Sequence, residues 1–304
     1  MAADRAVEIA GVRVTHPERV LFPEQGVTKG DLAEYYAGVA ERMLPHVADR
    51  PLSVVRCPRG REKACFYQKH RGEGLDEAVG GVEVEEKDGT VATYLRIEDA
   101  AGLVALVQAG VLEIHPWGCR ADRLERPDRL VVDLDPGPGI EWPEVVEAAR
   151  GVGRRLGELG LTAFVRTTGG KGLHVVAPLE RRTGWERLKH FARALAEEMA
   201  GEEPERYTAN PLKREREGRI FVDWLRNARG ATAIACYSTR ARPGAPVATP
   251  VAWSELADLE SGAAFDVGNL GRRLAALERD PWQGFFELRQ AITQEMEAGL
   301  GIVG

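Results

Sequence analysis

An ordered series of apolar segments between residues 129 and 224 most strongly constrains how this chain can fold. Short Val-rich runs predict buried strands, and longer segments with apolar residues at helical spacing predict helices. The order along the chain is β-α-β-β-α-β. The strands are predicted over Arg129–Leu134, Thr162–Thr167, Leu173–Ala177 and Arg219–Trp224, and the helices over Pro143–Leu159 and Trp185–Met199.

This order is the split βαβ arrangement of ferredoxin-like and RNA-recognition-motif folds. In such a sheet the fourth, first, third and second strands lie side by side in that order. We therefore predict an α/β (α+β) fold in which residues of the first and fourth strands, far apart in sequence, meet on one face of the sheet.

The remainder of the chain extends this α/β pattern. The segment before residue 120 predicts a helix over Asp31–Met43 with Thr28 or Asp31 as its N-cap, and another over Glu98–Gln108. We predict a single domain over residues 1–304, with an N-terminal α/β part at 1–120, the RNA-recognition-motif-like sheet at 121–249 and helices that close the core at 250–304. Further strands are predicted over Leu52–Arg56, Val82–Glu85, Thr90–Ile97 and Leu112–His115.

The composition is that of an ordinary globular protein. Apolar residues make up 44% and charged residues 29% of the 304 residues, so a packed core is expected. We expect no membrane span and a cytoplasmic location, because no apolar run approaches the roughly 20 residues that a span needs. The net charge of -6 argues against an indiscriminate nucleic-acid binder, although a local basic face is compatible with it.

The four cysteines are scattered and form no C-x-x-C pair. We therefore predict free thiols rather than a disulfide framework or a zinc ribbon. The alternative is a structural zinc held by Cys57, Cys65, His70 and Cys119, whose spacing is irregular.

Three carboxylates carry the strongest chemical signal. Asp133 and Asp135 alternate along one strand, so both project from the same face, roughly 7 Å apart at Cα. The predicted strand order brings Asp223 beside them. Three buried carboxylates repel each other unless a cation lies among them, and hard divalent cations prefer oxygen ligands. The sequence thus favours a metal site over the alternatives, turn chemistry at Asp135 and solvated strand ends.

A glycine-rich turn precedes the third strand of the sheet. It runs from Thr168 to Gly172, and His174 follows it. Glycines let a backbone approach phosphate oxygens while Lys171 neutralises their charge. The turn lacks the Walker A pattern, because another strand rather than a helix follows it. Taken alone, this segment is better explained by a hairpin with an exposed lysine and a structural histidine.

These residues resemble a known family, the polymerase domain of bacterial ligase D in the archaeo-eukaryotic primase superfamily. Order and spacing agree over nearly the whole chain. The motifs that carry the resemblance are Leu130–Gly137, Thr167–His174, Val222–Asn227, Ala235–Arg242, Leu112–Gly118, Phe66–His70, and Val20–Pro23 with Thr28 and Lys29.

The resemblance implies roles for residues around the reacting phosphates. Asp133, Asp135 and Asp223 would ligate two divalent ions, preferably manganese, with magnesium as the alternative. Thr168 stands where the family generally has serine, and the hydroxyl is retained. The residues implied to hold the triphosphate are Thr168, Lys171, Gly172, His174 and Arg240, with His115 near the sugar.

The resemblance also implies DNA contacts. Phe66 and Tyr67 match an aromatic pair that stacks near template bases, the alternative being that one or both are core aromatics. The residues implied to form a pocket for a downstream 5′-phosphate are His16, Arg19, Lys29 and Lys69.

The expected activity is template-directed addition of NTPs or dNTPs to a primer 3′-hydroxyl by a two-metal mechanism, filling gaps and extending ends during non-homologous end joining. The DNA would be gapped or broken and carry a 5′-phosphate. Expected partners are Ku and a separately encoded ATP-dependent ligase, because Glu86–Gly89 misplaces the lysine of the ligase motif. We expect a nucleoid-associated protein. The rivals are a metal-dependent nuclease or phosphohydrolase and a non-catalytic nucleic-acid-binding module.

Overall fold

The computed structural model describes residues 6–302, which form two compact units. The first unit comprises the described part of Met1–Asp122 together with Ile234–Ala248 and Phe265–Ala275. The second comprises Arg123–Ala233, Thr249–Ala264 and the described part of Ala276–Gly304. Ile234–Ala248 groups with the first unit, unlike the sequence-based boundaries at 120 and 249, because its backbone and side chains bond to the strand at Val111–Pro116.

The first unit is built on antiparallel strands with helices packed against them. β5 pairs with β6, β8 and β9, and β8 pairs with β7. The elements are β1 (Ala6–Ile9), β2 (Val12–Thr15), β3 (Val20–Phe22), β4 (Val27–Thr28), α1 (Lys29–Gly38), α2 (Ala40–Val47), β5 (Leu52–Arg56), β6 (Phe66–Gln68), β7 (Gly80–Glu85), β8 (Val91–Arg96), α3 (Ala100–Gln108) and β9 (Val111–Pro116).

The single helix predicted over Asp31–Met43 is two helices. α1 begins after Thr28, whose hydroxyl accepts from the Asp31 amide at 3.1 Å while the Asp31 carboxylate accepts from the Thr28 amide at 2.9 Å. This reciprocal capping box confirms the predicted N-cap. Val39 then leaves helical geometry with a ψ of 1°, so α1 ends at Gly38 and α2 starts anew at Ala40. Apolar spacing could not reveal this break, because the same face stays buried on both sides of it.

The prediction of four free thiols was wrong. Cys57 and Cys65 form a disulfide, while Cys119 and Cys236 remain buried thiols. The pairing follows from strand register. Arg56 on β5 lies opposite Phe66 on β6, and Cys57 directly follows Arg56 while Cys65 directly precedes Phe66, so the two cysteines face each other where the strands meet their connecting loop. A disulfide at this position also contradicts the alternative of a zinc held by both cysteines.

The second unit contains the predicted split βαβ sheet. Its order is β13-β14-β10-β12-β11-β15, so the four predicted strands lie in the predicted order. The strands are β10 (Arg129–Pro136), β11 (Phe164–Thr167), β12 (Leu173–Pro178), β13 (Tyr207–Thr208), β14 (Ile220–Asp223) and β15 (Pro250–Val251). The helices are α4 (Trp142–Glu158), α5 (Trp185–Glu202), α7 (Gln294–Gly299) and α6 (Leu270–Ala276), the last belonging mostly to the first unit.

The core of the second unit surrounds β10 and β12, whose apolar residues are buried. Helices α4 and α5 supply a matching apolar stripe, including Val145, Val152, Leu188 and Leu195. β10 is thereby held rigidly between β12 and β14, which matters because it carries the acidic residues. Within residues 6–302, none of the helices has the length and apolar character that crossing a bilayer requires.

Candidate metal and nucleotide site

The three carboxylates predicted to converge do converge. Asp133 and Asp135 lie on β10, and Asp223 lies directly opposite Asp133 at the end of β14. One oxygen from each side chain lies within 4.8 Å of the others. Asp133 and Asp223 are buried, each 5% exposed, which places their charges in a poorly solvated region. The geometry provides hard oxygen donors around one small volume.

The charges of this cluster are only partly balanced by the protein. Burial and the nearby Asp133 raise the pKa of Asp135 to about 6. Burial also raises the pKa of Asp223, with a further contribution from Asp133. For Asp133, burial acts in the same direction, but the facing His174 and Arg226 outweigh it and hold its pKa below the usual range. The cluster therefore favours an additional positive charge.

Two arginines supply part of that charge, and one of them, Arg226, was not singled out by the sequence analysis. The Nε of Arg226 donates to Asp133 Oδ2 at 3.0 Å and lies 3.3 Å from Asp223 Oδ2. An Nη atom of Arg216 lies 3.4 Å from Asp135 Oδ2. Arg226 sits within the Val222–Asn227 motif, three residues after Asp223, and that proximity was the available signal. Carboxylates that outnumber their arginines fit a divalent cation.

His174 contacts the carboxylate cluster from β12. Arg166 on β11 directs its Nε and an Nη atom to His174 Nδ1 at 3.2 and 3.0 Å. Because a guanidinium only donates, Nδ1 is the acceptor and the ring proton lies on Nε2, which is 3.2 Å from Asp133 Oδ1. Burial, with the charges of Arg166 and Arg226, lowers the pKa of His174 to about 4 despite the opposing effect of Asp133. The imidazole is thus neutral and oriented by two buried partners.

The glycine-rich turn is closed by its own threonine. Thr168 Oγ1 donates to the Gly172 carbonyl at 3.0 Å, and Lys171 is exposed. A Cβ at Gly172 would lie 2.1 Å from the Leu134 carbonyl oxygen, so no other residue fits there without displacing β10. Gly262 backs the turn, since a Cβ there would meet the Gly172 carbonyl oxygen at 2.6 Å. Tight packing therefore seats the turn directly on the strand that carries the carboxylates.

In the first unit, His115 and Arg240 share one acidic partner. That partner is Glu113, two residues before His115 on β9 and therefore on the same face. Its Oε2 accepts from His115 Nε2 at 2.8 Å and lies 3.1 Å from Arg240 Nε. Burial alone would raise the pKa of Glu113, but the His115 hydrogen bond and the Arg240 charge lower it to about 2. The sequence analysis missed Glu113, although it lies within the Leu112–Gly118 motif.

Two of the four residues predicted to bind a 5′-phosphate line a common cavity. Arg19 and Lys29 border a cavity of about 260 Å³ in the first unit, together with Arg56. The Lys29 ammonium is buried and donates to the Thr15 carbonyl at 2.8 Å and to Gln108 Oε1 at 3.1 Å. Burial, with the charge of Arg19, lowers the pKa of Lys29. Asp76 also lines the cavity, but the three cationic side chains outnumber it and favour an anion.

The other two residues of that predicted set lie outside the cavity lining. His16 has a positive φ of 51° and lies 3.8 Å from Glu18. The Lys69 ammonium contacts Glu86 at 2.9 Å and the Tyr94 hydroxyl at 3.0 Å. Both remain candidate DNA contacts, but the cavity is formed without them.

The aromatic pair lies at the surface rather than in the core. Phe66 and Tyr67 begin β6 and are 47% and 79% exposed. The Arg56 guanidinium lies 5.6 Å from the centre of the Phe66 ring, within cation–π range. Because Arg56 also borders the cavity, it connects the aromatic surface to the anion-favouring pocket.

Comparisons with known proteins identify the family of this chain. The family model described as "LigD, primase-polymerase domain" matches residues 28–282. A "Multifunctional non-homologous end joining protein LigD" of Pseudomonas aeruginosa is 42% identical over 294 residues, which is 96% of this chain and 35% of that protein. A protein of the same description from Mycobacterium bovis is 36% identical over 81% of this chain and 34% of its own length.

A solved structure gives the same result. It is described as "Polymerase Domain from Mycobacterium tuberculosis Ligase D in complex with DNA". The TM-score is 0.83 at 33% identity, covering 90% of this chain and 97% of the other. The chain spans about a third of the length of the curated relatives but nearly all of that single polymerase domain. It therefore belongs to the LigD primase-polymerase domain family of nucleotidyltransferases.

Proposed function

We propose that this protein is a template-directed primase-polymerase that adds nucleotides to a primer 3′-hydroxyl at gaps and broken DNA ends. The observation that carries the proposal is the convergence of Asp133, Asp135 and Asp223 on the central strands of a chain from this family. The relatives described as non-homologous end-joining proteins and the DNA complex of the structural neighbour support end joining as the setting.

The proposed chemistry divides between carboxylates and cations. Divalent metal held by the three carboxylates would lower the pKa of the primer hydroxyl and offset charge on the triphosphate. We propose manganese as the preferred ion and magnesium as the alternative. Lys171 is exposed on a turn whose glycines permit close backbone approach, which suits it to neutralise a triphosphate. His174, fixed by Arg166, lies with its Nε2 3.2 Å from Asp133 Oδ1 and so helps to orient that carboxylate.

We extend the nucleotide-binding role to His115, Thr168, Gly172 and Arg240 on the strength of the family resemblance. Thr168 acts by closing the glycine turn through its hydroxyl. Arg240 would offset negative charge on the phosphates, and His115 would approach the sugar. In both cases Glu113 supplies the anchoring carboxylate.

We assign DNA binding to the exposed aromatic pair and to the cationic cavity. Phe66 and Tyr67 offer stacking surfaces that tolerate any base sequence. Arg19 and Lys29 are proposed to bind the 5′-phosphate of the downstream strand, and His16 and Lys69 to contact the adjacent backbone. The proposed partners are Ku and an ATP-dependent ligase, acting with the protein at the nucleoid.

Primer extension on a gapped duplex tests the proposal. The substrate carries a 5′-labelled primer and a downstream 5′-phosphate, with Mn²⁺ or Mg²⁺ and with NTPs or dNTPs in separate reactions. Wild-type protein should extend the primer and Asp133→Ala/Asp135→Ala protein should not. Asp258→Ala is the matched control, because Asp258 is an exposed aspartate of the same unit. Replacing the 5′-phosphate by a hydroxyl should weaken DNA binding by wild type but not by Arg19→Ala protein.

Other outcomes would contradict this function. Metal-dependent shortening of the primer, or phosphate release from NTPs without extension, would instead indicate a nuclease or phosphohydrolase. DNA binding with neither reaction would indicate a non-catalytic module.

A further inference from the structure

Glu113 is a buried carboxylate whose two oxygens are both engaged. Oε2 accepts from His115 Nε2 at 2.8 Å and lies 3.1 Å from Arg240 Nε, and Oε1 accepts from the Ala241 amide at 2.8 Å. Arg240 lies 127 positions away along the chain, yet one side chain reaches both it and His115. Such a shared acceptor fixes the distance between an imidazole and a guanidinium.

The contacts also fix how each partner is presented. An ionised carboxylate only accepts hydrogen bonds, so the proton of the His115–Glu113 bond resides on Nε2. Arg240 forms an ion pair with the same carboxylate oxygen, its Nε lying 3.1 Å from Glu113 Oε2. The side chain of Glu113 is 8% exposed, against 13% for His115 and 18% for Arg240. A ligand therefore meets the two basic side chains before the carboxylate.

The backbone around this cluster is also held by hydrogen bonds that do not involve the Glu113 side chain. Thr239 Oγ1 donates to the Leu112 carbonyl at 2.5 Å, and the Ile114 amide donates to Ser238 Oγ at 2.9 Å. The Thr239 amide also donates to the Tyr36 hydroxyl at 3.1 Å. These bonds flank Glu113 on both sides along β9, so removing its carboxylate leaves the segment attached to the strand.

We propose that Glu113 is a positioning residue that aligns His115 and Arg240 for the incoming nucleoside triphosphate, a role that rests on the proposed polymerase function. The carboxylate acts through its two partners. Its contribution therefore depends on its geometry as well as on its charge, and it exists only while those partners are present.

Two substitutions separate geometry from charge. Glu113→Gln keeps the shape but removes the charge and leaves one acceptor oxygen in place of two. Glu113→Asp keeps the charge, but the side chain is one methylene shorter, so the carboxylate lies farther from His115 and Arg240. Both should raise the KM for NTP about tenfold or more with a smaller change in kcat, as expected for a lost charged hydrogen bond. The matched control is Glu83→Gln, an exposed residue of β7, which should change neither value.

A double-mutant cycle decides whether Glu113 acts through its partners. The readout is the dissociation constant of an α,β-methylene NTP, which binds without being transferred. In a His115→Ala/Arg240→Ala background, adding Glu113→Gln should change that constant by less than about twofold, because coupled residues are non-additive. Thermal unfolding of each variant confirms that the fold is kept.

Two results would overturn the inference while leaving the polymerase intact. One is a normal KM in both Glu113 variants. The other is an equal loss of nucleotide affinity with and without the two partners. Failure of the polymerase itself is distinct, because wild-type protein would then extend no primer, and the positioning role would fall with it.

Discussion

The two buried acidic sites of this protein both combine carboxylates with a histidine and arginine, but the balance of negative and positive charge is opposite in the two. In the first unit, one carboxylate, Glu113, faces a histidine and an arginine, and its pKa is lowered to about 2. In the second, Asp133, Asp135 and Asp223 lie together, and the pKa of Asp135 is raised to about 6. The first site is compensated from within the protein. The second favours a cation from outside it.

The difference teaches how to separate a positioning carboxylate from a metal ligand. Burial by itself raises the pKa of an acid in either case, so burial does not discriminate. The count of nearby charges does. The single carboxylate of Glu113 has two basic partners. The three aspartates outnumber the arginines beside them, and their mutual repulsion further raises the pKa values of Asp135 and Asp223.

The strongest test of the comparison removes one candidate metal ligand from the cluster of Asp133, Asp135 and Asp223, where negative charge exceeds positive charge. We expect Asp133→Ala to lower primer extension by about a thousandfold or more, since metal contributes several kcal/mol to such reactions. Isothermal titration with Mn²⁺ should show loss of binding in the same variant. Asp258→Ala serves as the control. Full activity in Asp133→Ala would mean that the acidic cluster is not the reaction site.

A second test removes the arginine that partly neutralises the three aspartates. Arg226 contacts both Asp133 and Asp223, so Arg226→Gln should raise the affinity for Mn²⁺ by about tenfold, because a cation then meets less positive charge. Titration calorimetry at one ionic strength measures this, with Arg150→Gln, a surface arginine of α4, as the control. Lower metal affinity in Arg226→Gln would contradict the charge-balance account.

At the compensated site, removing the carboxylate should cost stability. Glu113→Gln is expected to lower the free energy of unfolding by on the order of 1–3 kcal/mol at pH 7, since hydrogen bonds to charged groups are lost. Its pKa is lower when folded than when unfolded, so this contribution is present above about pH 4.5 and lost as the pH falls towards 2. Denaturant unfolding at several pH values measures the difference from Glu83→Gln.

The smallest expected effect is a gain of stability, opposite to the loss expected for Glu113→Gln. The pKa of Asp135 is higher in the folded state than its ordinary value, so ionised Asp135 destabilises the metal-free fold as the pH rises through about 6. Asp135→Asn should therefore raise the melting temperature at pH 8 in the presence of a chelator and leave it unchanged at pH 4. Differential scanning calorimetry checks both. A lower melting temperature at pH 8 would show that the triad is already compensated.

Much of the second unit could be predicted from the sequence. Apolar periodicity predicted the split βαβ order, and the structure has the four strands in that order. Strand alternation placed Asp133 and Asp135 on one face, and the strand order predicted that Asp223 would join them, which the structure confirms. These predictions succeeded because each depends on a local period or on the limited set of topologies that such a series allows.

Predictions failed where a detail depends on contacts or on register. Val39 interrupts a helix whose buried face continues on both sides, so periodicity did not reveal the break. Cys57 and Cys65 have no diagnostic spacing and meet because β5 and β6 pair with Arg56 opposite Phe66. The motifs contained Glu113, Arg226 and their partners, but they did not show which of these residues would pair.

The sequence by itself determined the chemistry of this protein: the order of the four central strands of the second unit, the face that their acids occupy, and the family to which the motifs belong. Only the tertiary structure decided the charge balance. Whether a carboxylate is compensated depends on groups brought within about 4 Å from distant parts of the chain, where Coulomb interactions are strong. Glu113 meets Arg240, and Asp133 meets Arg226 and His174, because strand register and the path of the chain bring them there.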